Sequence, residues 1–149
     1  MTTKTFILVT IATCAWIVTS FAATIPAGTT LVVRTLNNIQ STDRVGRTFN
    51  AQLDHDVAVN GKVVLQSGTK FHGEIESSQA IPRQSAPLVL NLTDISVNGR
   101  TIPIKTVSGF EVQNLATRGA ARARGITVGP FVAQRGLRMQ FRLAQPVNL

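Results

Sequence analysis

Two copies of one short device constrain this chain more than any other feature. Val59-Asn60-Gly61-Lys62-Val63-Val64-Leu65 and Val97-Asn98-Gly99-Arg100-Thr101-Ile102-Pro103-Ile104 each place an Asn-Gly pair between runs rich in β-branched and apolar residues. A two-residue type I′ turn needs positive φ at both central positions, which Asn and Gly tolerate best, and its twist suits the flanking strands. Each copy is therefore expected to form a β-hairpin.

The segments around them carry a period of two. Phe49, Ala51 and Leu53 alternate with Thr48, Asn50 and Gln52; Phe71, Gly73 and Ile75 alternate with Lys70, His72, Glu74 and Glu76; Leu88, Leu90 and Leu92 alternate with Val89, Asn91 and Thr93. Such alternation predicts strands with one buried and one wet face. Further strands are expected over residues 29–36, 100–107, with Pro103 marking an edge or bulge, 110–112 and 136–143. A second repeat overlays the hairpins, since Ile25-Pro26-Ala27-Gly28-Thr29 and Leu65-Gln66-Ser67-Gly68-Thr69 each end a turn in Gly-Thr and launch a strand, and Gly136 opens the last strand in the same manner. The fold class is thus all-β: a single small antiparallel barrel or sandwich of about seven strands. Pairing the first strand with the last would remove two exposed edges.

Residues 1–22 stand outside that domain. Lys4, the apolar run from Phe6 to Val18, and Ser20-Phe21-Ala22 have the layout of a secretory signal peptide cleaved after Ala22. The alternative is an uncleaved membrane anchor, because the run from Phe6 to Ala23 is almost long enough to span. Residues 23–149 form one β domain by this reading. Cys14 is the lone cysteine and lies in the apolar run, so the exported domain has no thiol chemistry. A cysteine-free exported domain of this size suits a bacterial periplasm or envelope better than a disulfide-rich secreted setting.

Charge is uneven. The chain has 15 Lys and Arg against 7 Asp and Glu, yet from Val112 onward there are arginines at 118, 122, 124, 135, 138 and 142 and no acid at all. Residues 114–136 read as a long basic Ala/Gly/Arg connection, helix-compatible over Ala116–Arg124 but weakened by Gly119. Arg118, Arg122, Arg124, Arg135 and Arg138 are the candidate anion-binding residues, with an anionic envelope polymer or lipid, or another envelope protein, as the expected partner. Export, and the scarcity of aromatic residues for base stacking, argue against nucleic acid.

Catalytic chemistry finds little support. Asp54-His55-Asp56 offers three donors in a row, but on a strand His55 would face away from both aspartates, and no other cluster completes a metal site. Glu74 and Glu76 share a strand face at a spacing that paired carboxylates use, which two exposed acids also show routinely. No serine sits in a nucleophile elbow, and no phosphate-cradling loop is present. No cofactor and no enzymatic activity are expected.

Ile25-Pro26-Ala27-Gly28-Thr29, Val45-Gly46 leading to Phe49-Asn50-Ala51, Ser67-Gly68-Thr69, Leu92-Thr93-Asp94-Ile95-Ser96-Val97-Asn98-Gly99 and Phe141-Arg142-Leu143-Ala144-Gln145-Pro146-Val147 resemble a group of small secreted bacterial proteins of acidobacterial type and unknown function. The first half is also distantly similar to the C-terminal β-barrel of the conjugal-transfer scaffold of type IV secretion systems, in which an I-P-A-G-T strand start recurs. That resemblance implies a barrel with a role in protein–protein assembly and no enzymatic residues. The scaffold's cytoplasmic and proline-rich parts, and a clear pore-forming helix pair, are missing from this sequence. The expectation is therefore an exported periplasmic or extracellular β domain that works by binding or as a structural component. A subunit or accessory of a secretion or conjugation assembly is the alternative, and an unrecognised enzyme the third reading.

Overall fold

The computed structural model describes residues 23–79, 87–113, 130 and 132–149. Its strands are β1 (Thr24–Ile25), β2 (Thr30–Thr35), β3 (Ile39–Gln40), β4 (Thr48–Leu53), β5 (Val57–Val59), β6 (Lys62–Leu65), β7 (Lys70–Ser77), β8 (Leu88–Val97), β9 (Arg100–Pro103), β10 (Phe110–Val112), β11 (Val132–Ala133), β12 (Arg138–Arg142) and β13 (Val147–Asn148). Seven of them form one sheet in the order β10-β8-β7-β4-β2-β12, with β9 also on β8. All its pairings are antiparallel.

The sheet curls until its ends meet. β9 lies along Asp94–Val97 and β10 along Leu88–Leu90, sharing one edge of β8. Between them the chain swings out to β12. There Val107 N–H donates to the Arg142 carbonyl and Ala144 N–H to the Lys105 carbonyl, both at 2.8 Å, on either side of a Thr106–Leu143 bridge. Phe110 and Phe141 pack across this seam with ring centroids 6.2 Å apart and planes tilted by 56°, a favoured aromatic arrangement. The expected all-β, barrel-like architecture is the one observed, and the first long strand does pair with the last, from Thr30 against Arg142 to Arg34 against Met139's neighbour Arg138.

The period-two alternation resolves into an inside and an outside. Leu31, Val33, Phe49, Ala51, Leu53, Phe71, Ile75, Leu88, Leu90, Leu92, Ile95, Met139, Phe141 and Leu143 are buried in one core. Both Asn-Gly turns have the predicted geometry, with φ of 53° and 77° at Asn60 and Gly61, and 49° and 74° at Asn98 and Gly99. Their arms differ in destination: β8–β9 belongs to the large sheet, whereas β5–β6 is a separate two-stranded ribbon.

The Gly-Thr repeat proves to be fourfold. In residues 26–29, 44–47, 66–69 and 134–137 the fourth N–H donates to the first carbonyl at 3.1–3.3 Å, and the third residue is a glycine with φ of 82° to 87°. In each case the glycine N–H also donates to the carbonyl of a residue at or near the end of a neighbouring strand, and that residue's N–H donates back to the carbonyl after the glycine. The partners are Leu143 for Gly28, Ile75 for Gly46, Leu53 for Gly68 and Thr35 for Gly136. This is a G1-type bulge joined to a tight turn, where only glycine takes the left-handed conformation without strain. The four turns start β2, β4, β7 and β12, which are adjacent in the barrel as β7-β4-β2-β12. Two of them also have a threonine hydroxyl on the first carbonyl, Thr29 on Pro26 at 2.7 Å and Thr69 on Gln66 at 2.6 Å.

Two small pairs, β1 with β13 and β3 with β11, were not expected; strands of two residues carry no readable period. The return strand predicted to run to residue 107 ends at Pro103, and one further bond, from the Ile104 N–H to the Thr93 carbonyl at 2.9 Å, follows before the chain leaves β8. The expected signal peptide, and residues 114–129 of the basic connection with its proposed helical part, lie outside the described residues. Among the described residues no helix is long and apolar enough to cross a membrane.

Candidate functional site

Polar chemistry on this barrel sits on its outer wall. At the end of β4 the Asp54 N–H donates to the Val32 carbonyl at 2.8 Å, which draws Asp54 against β2. There Arg34 of β2 and Arg138 of β12 are directly opposite each other, an arrangement that destabilises a sheet through like-charge repulsion. Asp54 offsets it. Its side chain is only 4 % exposed; Arg34 Nε contacts Oδ1, and Arg138 Nε lies 2.9 Å from Oδ2. His55 Nε2 is 3.1 Å from the same Oδ2. Neither N–H is aimed at Oδ2, which is buried without a hydrogen bond, so its stabilisation is Coulombic and the two guanidinium groups hold it by proximity.

This corrects the reading of Asp54-His55-Asp56 as strand residues with His55 turned away from both aspartates. The chain bends after Leu53, so strand alternation no longer governs where the three side chains go. Asp54 points inward to the arginines, His55 folds over it, and Asp56 Oδ1 accepts the Ser67 N–H at 2.7 Å to close the base of the β5–β6 ribbon. Among the described residues no group of three or more His, Cys, Asp or Glu side chains is placed to hold a metal ion.

His72 and Asp94 form a second constellation, on facing positions of β7 and β8. His72 Nδ1 is 2.5 Å from Asp94 Oδ1, and the Thr93 hydroxyl bonds to Asp94 Oδ2 at 3.0 Å. A His–Asp pair is two-thirds of a nucleophilic triad. The strand residue on the other side of His72 is Asn50, however, and Ser96 faces Lys70. The pair bridges two strands at the point where the β7–β8 register shifts between His72 and Gly73.

Beside the seam, Glu74, Asn91, Leu92, Thr93, Ile104, Lys105, Thr106 and Ala144 line an open cleft of about 400 Å³. It exists because the chain leaves β8 after Pro103 to reach β12. Asn91 Oδ1 accepts both the Thr106 hydroxyl and the Leu92 N–H, so most of the amide's capacity serves the fold. Glu74 and Glu76 are exposed on the same face of β7, as their spacing predicts.

Three of the candidate anion-binding residues, Arg118, Arg122 and Arg124, lie outside the described residues. The other two are not brought together. Arg135 sits exposed in the turn before β12, its N–H donating to Asn38 Oδ1 at 2.7 Å. Arg138 is engaged by Asp54. Arg142, read as part of the same uncompensated run, donates from Nε to the Gly28 carbonyl at 3.1 Å. Arg135, Arg138 and Arg142 thus find acceptors among residues 28–54, a pairing invisible in local charge counts.

No protein-family model matches the sequence, and no curated protein is similar to it in sequence. The fold has a counterpart among solved structures. ComB10 of the Com type IV secretion system of Helicobacter pylori superposes with a TM-score of 0.51 at 13 % identity, over 84 % of this chain and 89 % of that one. At that identity the likeness is one of fold: a curled antiparallel barrel shared nearly end to end.

Proposed function

We propose that this chain is an exported, non-catalytic β-barrel that serves as a subunit or accessory of a secretion-type assembly in a bacterial envelope, acting through contacts with other proteins. The observation that carries this reading is the extent of the fold match, which takes in 84 % of this chain and 89 % of ComB10. The described polar clusters support it too, because their ion pairs and hydrogen bonds hold strands together. Export follows from the leader-like residues 1–22, and the barrel's work is expected in the periplasm or on the cell surface.

The test is isolation of the tagged protein from envelopes of its own cells after mild cross-linking. A high-mass complex containing defined envelope proteins is expected. A protein that is recovered uncross-linked and alone, from cells in which it is abundant, would overturn the reading.

A further inference from the structure

The two Asn-Gly turns are a matched pair set in unequal surroundings. Val59-Asn60-Gly61-Lys62 and Val97-Asn98-Gly99-Arg100 differ only in the cation that follows the glycine. Their φ angles, 53° and 77° against 49° and 74°, are nearly the same. Both tips are exposed, and among the described residues a Cβ built on Gly61 or Gly99 would meet no atom within 4 Å. Asn-Gly is also the pair at which a peptide chain is chemically least durable. Glycine has no side chain to shield its backbone nitrogen, so that nitrogen can attack the amide carbon of the preceding Asn side chain.

The attack has a geometric condition. Ring closure requires rotation about the Asn Cα–C bond, which carries the Asn-Gly peptide plane out of the type I′ arrangement. Paired strands on either side resist that rotation, so the reaction draws on the turn in its opened state. What differs is what holds each turn shut. β8 is bonded to β7 on its far side as far as Ser96 opposite Lys70, and β9 lies along it with Ile102 facing the buried Ile95. β5 and β6 pair only with each other among the described strands, and their register is irregular between Val57 and Ala58. Segments with few buried apolar contacts open at the lowest free energy.

We propose that Asn60 is a site of spontaneous covalent modification in the folded protein, converting through a cyclic imide to aspartate and isoaspartate, while the barrel preserves Asn98. The Gly61 nitrogen gives up its proton and bonds to Asn60 Cγ; the Cγ–Nδ2 bond breaks, and Nδ2 leaves as ammonia with that proton. Water then opens the imide. Cleavage between Cγ and the nitrogen gives aspartate, and cleavage between the main-chain carbonyl carbon and the nitrogen gives isoaspartate. No oxidation or reduction is involved. Either product adds a negative charge beside Lys62. Isoaspartate also routes the backbone through Cβ, lengthening it by a methylene that a two-residue turn does not accommodate. Pairing of the ribbon is therefore lost as the protein ages, and pairing of the barrel is kept.

The test is mass spectrometry of the purified folded protein held in warm, mildly alkaline buffer, with a urea-unfolded sample alongside. Tryptic peptides ending at Lys62 and Arg100 separate the two sites, and fragmentation locates the modified residue. In the folded protein Asn60 should convert at least about tenfold faster than Asn98, a difference of about 1.4 kcal/mol in opening free energy. In urea the two should convert at nearly the same rate, because their neighbours match. Equal rates in the folded protein, faster conversion of Asn98, a difference that persists in urea, or protection of both sites by the fold would overturn the proposal. Amide exchange on the aged protein supplies a second reading. Val59 and Val63 should lose protection while Leu90 and Ile95 keep theirs; loss at all four would show that the damage is not confined to the ribbon. Asn60→Gly suits the same turn and has no amide, so it should age without this change, and a variant that ages like the parent would sink the assignment.

Discussion

β5–β6 and β8–β9 are joined by the same Asn-Gly turn with nearly the same dihedral angles, yet one hairpin is a wall of the barrel and the other a ribbon beside it. Their arms account for the difference. β8 has ten residues and buries Leu88, Leu90, Leu92 and Ile95, while β5 has three and β6 four, with Val57 and Leu65 as their only buried side chains. Burying an aliphatic side chain contributes on the order of 1.5–3 kcal/mol, and a two-stranded hairpin without a covering layer is marginal in water. Turn chemistry specifies where the chain reverses. Arm length and apolar alternation decide whether the reversal joins a core.

Substitutions in matched positions of the two hairpins test that account. The largest effects belong to the barrel arm β8 and to β7, the strand it pairs with. Ile95→Ala should lower unfolding free energy by about 2–5 kcal/mol, and Gly73→Ala by a similar amount or more, because an added Cβ would overlap the Asn91 carbonyl and the Phe49 ring; chemical denaturation measures both. At the ribbon's base, Asp54→Asn should remove about 1–3 kcal/mol by leaving Arg34 and Arg138 to repel, with part of the loss restored by salt. Asp56→Ala, which frees only the Ser67 N–H, should remove under about 1 kcal/mol. Gly99→Ala and Gly61→Ala impose the same left-handed strain of about 1–2 kcal/mol. In global unfolding the full value should appear at Gly99 and a fraction of it at Gly61, where fraying of the ribbon relieves the strain; equal effects would break the comparison. Val63→Ser, at a side chain 47 % exposed, should fall within about 0.5 kcal/mol of the parent. Amide exchange gives an independent reading, with Val59 and Val63 expected to exchange far faster than Leu90 and Ile95.

Much of the fold was legible because its signals are local. Leu88, Leu90 and Leu92 announce a buried face by spacing alone, and Asn98-Gly99 announces a turn by dihedral preference. The ribbon's separation from the barrel was not, since Val59 and Val63-Val64 look as apolar as Val97 and Ile102; only the crowding of β4 and β7 against each other shows that no room remains. Three of the four glycine turns were visible from Gly28-Thr29, Gly68-Thr69 and Gly136. The fourth, at Arg44-Val45-Gly46-Arg47, shares only its glycine with Pro26–Thr29 and Gln66–Thr69. The site was less legible than the fold. The role of Asp54 could not be read from the sequence because its partners, Arg34 and Arg138, arrive from strands far apart along the chain.

The bulge at Gly68 has a consequence for how the chain tolerates change. Gly68 N–H donates to the Leu53 carbonyl and Leu53 N–H to the Thr69 carbonyl, both at 2.8 Å, so the end of β4 and the start of β7 are clasped together by the backbone itself. Everything from His55 to Ser67 is an excursion that leaves and returns through that clasp. The register of β4 on β7 is set without it, which makes this stretch a natural cassette: a place where a foreign loop, a tag or a reporter peptide can be exchanged for the ribbon while the barrel keeps its alignment.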